Sequence, residues 1–74
     1  MYIKQIIALR ENNNLSKSEV ARAIDIDIRN YTNYENEKRV LPYDVLIKLA
    51  KLYDVSTDYL LGLTNNPTHF RKGG

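Results

Sequence analysis

The chain has no cysteine in its 74 residues, which excludes a disulfide framework and any thiolate metal site. A chain without thiols suits a reducing interior, so a cytoplasmic location is expected. It also lacks an apolar run of membrane-spanning length and a signal-peptide pattern at its start, so no membrane partner is expected. Histidine occurs once, as His69, with no carboxylate or second histidine at ligand spacing, and no metal is expected. The three glycines build no phosphate-cradling loop, and no nucleophile–base pair or ligand-pocket signature is present. The chain is therefore not expected to be an enzyme, to carry a cofactor or to take a small-molecule ligand.

Net charge is scarce too. The formal value is +2, but without Arg71 and Lys72 of the tail, residues 1–70 carry nine basic and nine acidic side chains. A neutral body does not hold DNA by bulk attraction, which excludes a nonspecific nucleoid-type binder. Any DNA contact needs segregated charge, with Lys17, Arg29, Lys38 and Arg39 on one side and Glu11, Asp54 and Asp58 elsewhere. Such binding is steeply salt-dependent, because each neutralised phosphate releases counterion.

What is present is concentrated in residues 15–39, LSKSEVARAIDIDIRNYTNYENEKR. Ser16 and Glu19 have the spacing of a capping box, in which each side chain accepts from the other residue's backbone N–H. Val20, Ala21 and Ile24 then share one helical face. Asp25-Ile26-Asp27 interrupts the pattern, Asp25 being able to take a left-handed turn and Asp27 to cap the next helix. From Ile28 to about Asn36, Ile28, Tyr31 and Tyr34 or Glu35 fall on one side. Arg29, Asn30, Thr32 and Asn33 fall on the other. Those residue types match base edges: arginine pairs with guanine, asparagine with adenine, and the threonine methyl packs on the thymine methyl. Ile28 is a further candidate for a thymine methyl. Lys38 and Arg39 follow where a phosphate backbone would run. The competing reading is an ordinary solvated face, since amphipathic helices of this length occur in every small helical domain.

The other helices read as scaffold. The first runs from about Tyr2 to Asn12, with Ile3, Ile6, Ile7 and Leu9 apolar, and the Asn12-Asn13-Asn14 run stops it. The fourth opens with Pro42 in its first turn and Asp44 at the favourable end of the dipole. Val45, Leu46, Leu49, Ala50, Leu52 and Tyr53 make it the most apolar helix and the expected centre of the core. Asp54-Val55 breaks it, Ser56 caps a fifth helix and Gly62 ends that helix. Tyr31 and Tyr34 read as packing residues before stacking platforms. Tyr59, Leu60, Leu61 and Leu63 either close the core or leave an apolar patch for a partner. The division expected is a domain over residues 1–63 and a flexible tail over 64–74, where Asn65-Asn66-Pro67 and Gly73-Gly74 have a disordered composition. In that tail Phe70-Arg71-Lys72 is expected to be a floppy end, the alternative being a weak phosphate contact. A start at Met1 and a trailing tail fit a complete chain, with a piece of a longer regulator as the alternative.

Residues 2–62 resemble the Cro and phage-repressor type of helix-turn-helix domain, also called XRE-like. The resemblance rests on Ile6-x-x-Leu9-Arg10, Leu15-Ser16-Lys17-Ser18-Glu19-Val20-Ala21 and Tyr34-Glu35-Asn36-x-Lys38-Arg39. It continues through Pro42 and Val55-Ser56-x-Asp58-Tyr59-Leu60-Leu61-Gly62. It implies an all-α, compact five-helix, lambda-repressor-like domain whose helices 2 and 3 form the helix-turn-helix. It further implies an ion pair between Arg10 and Glu35, partly buried between the first and third helices, that orients the third helix. By the same resemblance, Lys17 and Ser18 seat helix 2 against phosphate and helix 3 enters the major groove. The chain departs from the family pattern at Asp25 and Glu37, where glycine is common, so Asn36 is expected to supply the turn after helix 3. Lys17 stands where glutamine is typical, which fits a phosphate contact.

The function expected is a sequence-specific DNA-binding transcriptional regulator, a repressor acting as a homodimer on a palindromic operator, with helices 4 and 5 as the dimer surface. The alternative is a protein-interaction module, antagonist or antitoxin-like, on the same fold. The neutral body and the acids Asp25, Asp27 and Glu37 beside helix 3 keep that alternative open.

Overall fold

Three of the five helices start on a side chain that holds the first turn. The computed structural model describes residues 2–66 and contains α1 (Tyr2–Asn12), α2 (Lys17–Ala23), α3 (Ile28–Glu35), α4 (Tyr43–Tyr53) and α5 (Thr57–Leu60). Among the described residues there is no strand, so the fold is all-α with five helices, as the sequence indicates. At α2 the capping box closes in both directions: Glu19 N–H donates to Ser16 Oγ at 3.0 Å and Ser16 N–H to Glu19 Oε1 at 2.8 Å. The Ser16 backbone N–H, bonded to the ionised form, holds the Glu19 carboxyl below its ordinary pKa. Asp27 accepts from Arg29 N–H to open α3, and Ser56 from Tyr59 N–H to open α5. Pro42 stands one position outside the first turn of α4, as an N-cap whose carbonyl accepts from Leu46 N–H; it makes no side-chain cap.

All five helices stop by one device. A residue with positive φ donates its N–H three residues back, and the next N–H reaches the carbonyl five back, the Schellman arrangement. For α1 these bonds are Asn14 to Glu11 and Leu15 to Arg10; for α3 they are Glu37 to Tyr34 and Lys38 to Asn33. Asn14, Asp25, Glu37 and Asp54 occupy the left-handed position in four helices and Gly62 in the fifth. Only the last avoids the clash between Cβ and backbone, which is worth roughly 1–2 kcal/mol per residue. The expectation that Asn36 makes the turn after α3 is wrong. Asn36 keeps a right-handed backbone, φ −83°, and Glu37 turns at φ +60°. Asn36 N–H still bonds Thr32 O, so the last regular turn runs through Asn36 and the reversal falls one residue later.

The core gathers one stripe from every helix: Ile3 and Ile6, Val20 and Ala21, Tyr31 and Tyr34, Val45, Leu46, Leu49 and Ala50, and Leu60. Ile24, Leu41 and Val55 are added from the connections. Leu49 has no solvent exposure, which agrees with α4 as the centre. Leu52 does not join it; it stands 36% exposed, because the buried stripe of α4 runs through Val45, Leu46, Leu49 and Ala50. Ile28 likewise leaves the buried side of α3 and is 39% exposed. The Tyr59–Leu63 segment divides: Leu60 is wholly buried and Leu63 largely exposed. Among the described residues no helix is long and apolar enough to cross a membrane. Expectations for His69 and for Phe70-Arg71-Lys72 concern residues outside those described.

Candidate nucleic-acid interface

α2 and α3 pack against each other across the turn formed by residues 24–27, and α3 also packs on α1. Tyr31, Tyr34 and Glu35 are the buried residues of α3 and define its inner line. With about 3.6 residues per turn, Arg29, Asn33 and Asn36 stand opposite that line, with Thr32 and Asn30 on the two shoulders. Arg29, Asn30 and Asn36 are exposed; Thr32 and Asn33 are half-buried. Ile28 sits at the edge of this arc in the first turn. Lys38 and Arg39 follow the Glu37 reversal and are exposed, while Lys17 and Ser18 form the first turn of α2, half-buried and exposed. The outer surface of this helix pair therefore carries arginine, asparagine and threonine, with lysines and an arginine at its borders.

Asn36 is the residue of this arc that the sequence reading left out. Carrying the step from Arg29 to Asn33 one turn further reaches it. Its assignment to the turn hid that placement.

The inner face of α3 is held by a polar seam. Arg10 Nε donates to Glu35 Oε2 at 2.8 Å and Arg10 Nη2 to Glu35 Oε1 at 3.3 Å, the two-pronged geometry that a guanidinium makes with a carboxylate. The third prong, Nη1, donates to the Leu15 carbonyl at 2.9 Å. Tyr31 O–H donates to Glu35 Oε2 from within α3 itself. The Arg10 guanidinium thus ties α1 to the α1–α2 turn and, through the Glu35 carboxylate, to the inner face of α3. Glu35 is the buried charged residue of the described chain, at 6% exposure. The bond to Glu35 raises the Arg10 pKa, so the guanidinium stays charged. Burial, then the bond to Glu35, pushes the Tyr31 phenol far up. Tyr53 lies beside them with a buried hydroxyl that makes no hydrogen bond, and burial pushes it up to about 12.

The acids near the arc differ in what occupies them. Asp27 is engaged in capping α3. Asp25 and Glu37 are exposed at the reversals before and after α3, both with left-handed backbone.

Two helices across a tight turn, the second locked on its inner side and polar on its outer side, define a helix-turn-helix unit. Residues 3–66 match the family described as "Helix-turn-helix domain", and the chain belongs to that family. It is 43% identical over 67 residues to the uncharacterized HTH-type transcriptional regulator YobD of Bacillus subtilis (strain 168), an alignment covering 90% of this chain and 60% of that protein. It is 41% identical over 59 residues to the HTH-type transcriptional regulator ImmR of the same organism, covering 80% of this chain and 46% of that one. The chain thus spans less than two thirds of the length of either relative. No solved structure matches it.

Proposed function

We propose that the chain is a sequence-specific transcriptional regulator of double-stranded DNA that places α3 in the major groove. The observation that carries this is the outer arc of α3, which presents Arg29 and Asn33 directly opposite an inner line fixed by Glu35 and Tyr31. A reading helix must not rotate, and the Arg10–Glu35 pair is what prevents rotation. In this reading Arg29 pairs with guanine, Asn30 and Asn33 address adenine, and Thr32 and Ile28 pack on thymine methyls. Asn36 extends the same line. Lys17 and Ser18 meet one phosphate strand, and Lys38 and Arg39 the other edge of the groove. Asp25 and Glu37 oppose phosphate at the two ends of α3 and confine acceptable placements.

Two copies related by a two-fold axis would bind a palindromic operator with half-sites ~34 Å apart, one helical turn. The α4–α5 end offers apolar surface for that pairing in exposed Leu63 and half-buried Tyr59 and Leu61. Occupancy of an operator suffices to block polymerase, so repression is the mode proposed, and the cytoplasm the site of action. The names of the two regulators above support the class.

The test is selection of bound duplexes from a random library of about 30 base pairs, competed with nonspecific DNA near physiological salt. A two-fold symmetric motif is expected, lost with Arg29→Ala and Asn33→Ala while the fold persists. Folded protein that enriches no sequence would overturn the proposal. It would favour an interaction module, a reading supported by the neutral charge of residues 1–70 and the exposed Asp25 and Glu37.

A further inference from the structure

Away from the outer arc of α3, a groove of about 520 Å³ lies between the end of α2 and the outer face of α4. One wall is Ala23, Ile24 and Asp25, where α2 stops; the other is Lys48, Lys51 and Leu52. Three features separate it from an ordinary crease. Leu52 is an α4 leucine that the core does not use, left 36% exposed, and Ile24 beneath is closed at 4%. Lys48 and Lys51 are exposed and lie within ion-pairing distance of no carboxylate among the described residues. Being three and four apart, Lys48, Lys51 and Leu52 share one patch of helix surface, an apolar spot flanked by two ammonium groups.

We infer that this groove is a docking site for an acidic protein segment that carries an aliphatic anchor. The aliphatic side chain seats on Ile24, Ala23 and Leu52, and a flanking carboxylate lies between Lys48 and Lys51. Charge argues for this occupant. The groove lining holds two lysines against the single carboxylate of Asp25, so it selects an anionic partner. A second copy of this chain is disfavoured, because an isologous contact sets the patch against itself and brings four ammonium groups together against two carboxylates. DNA is disfavoured by the apolar anchor and by Asp25, which faces the same space. The lining residues all belong to α2, its following turn and α4, so a segment seated here leaves the arc of α3 open. The proposal stands whether or not α3 reads DNA.

The experiment is a titration of the isotope-labelled full chain, followed by amide chemical shifts, with a synthetic nonapeptide of four glutamates, a central leucine and four glutamates. The expected result is saturable shifts confined to residues 23–25 and 48–52. The charge-reversed variant Lys48→Glu/Lys51→Glu should weaken binding at least tenfold, with an undisturbed amide spectrum showing that the fold is kept. Replacing the peptide leucine with serine should weaken it severalfold. Arg29→Ala, on α3, should leave it unchanged. Shifts centred on residues 29–39, equal binding by the charge-reversed variant, or no shift at millimolar peptide would each overturn the proposal. So would loss of duplex binding, as large as that of Arg29→Ala, in Lys48→Glu/Lys51→Glu, because that assigns these lysines to phosphate.

Discussion

The α1–α3 seam and the interior around α4 bury side chains for opposite reasons. At the seam a charged pair, a phenol and a backbone carbonyl meet in fixed directions, the phenol on Glu35 and the carbonyl on Arg10. Around Leu49 the packing is apolar, with Val45, Leu46 and Ala50 on the same stripe. Dispersion and burial are non-directional, so the apolar interior holds the helices together without dictating how far any one of them rolls. A forked hydrogen bond has a direction. Removing two charges from water also costs several kcal/mol, which their attraction only roughly repays. The seam is therefore a poor source of net stability and a good source of orientation, and it lies directly behind the arc proposed to read DNA.

The difference is testable because the two regions fail differently. Glu35→Ala should cost about 3–5 kcal/mol, the penalty of leaving Arg10 partly buried without its partner. Chemical denaturation measures it. The double change Arg10→Met/Glu35→Leu should recover most of that loss, because an apolar pair no longer carries the desolvation cost. If the pair orients α3, the rescued protein should bind an operator less selectively than the parent. A double variant with full stability and unchanged selectivity would remove the orienting role. Leu49→Ala should cost about 2–5 kcal/mol, and no partner change can repair the void. In a domain this small that is enough to unfold most molecules at 37 °C, visible as lost helical circular dichroism.

A smaller effect, of opposite sign, is expected at the end of α3. Glu37→Gly relieves a left-handed glutamate and should stabilise the fold by about 0.5–1 kcal/mol, part of the relief being lost to the freer unfolded chain. It also deletes an acid at the border of the arc, so any duplex affinity should rise. A lowered denaturation midpoint would contradict the backbone reading.

The smallest effect at neutral pH belongs to Tyr53. Its hydroxyl is buried without a partner, so Tyr53→Phe should be close to neutral or mildly stabilising. The consequence lies in alkali. The folded pKa is raised from 10.0 to about 12, so the contribution is complete below pH 10. It is lost as pH climbs from 10 to about 12, where the unfolded chain has ionised and the folded phenol still holds its proton. Tyr31, raised in the same direction, adds to this slope. Tyr53→Phe should flatten the alkaline fall in stability between those values; an unchanged slope would contradict the burial of that hydroxyl.

Much of this architecture is local and was readable in the chain. The capping box of Ser16 and Glu19, the caps of Asp27 and Ser56, and the stops at Asn14 and Gly62 depend on neighbours within six residues. Helix limits followed from them to within one position. The periodicity of apolar residues named Val20, Ala21, Ile24, Tyr31 and Leu49 as buried, because a 3.6-residue repeat is a property of one helix. The outer arc of α3 was legible for the same reason, up to Asn33.

What failed to be legible involved competition between elements. Propensity favours Asn36 over Glu37 for a left-handed backbone, yet α3 runs one residue further, keeping Thr32 as the acceptor for Asn36 N–H and leaving the reversal to Glu37. Leu52 and Ile28 fit an apolar stripe in sequence, but whether a stripe's edge is covered depends on a neighbour that the sequence does not place. The groove at Leu52 exists only because α2 ends where it does beside α4. Sequence by itself determined five helices, their caps, the inner stripes and the polar outer face of α3, all set by interactions along one helix. Tertiary structure alone decided that the Tyr31 hydroxyl joins Arg10 at Glu35, that Glu37 makes the turn and that Leu52 stays exposed. Those outcomes depend on which surfaces meet, and that is a free-energy balance over the whole fold.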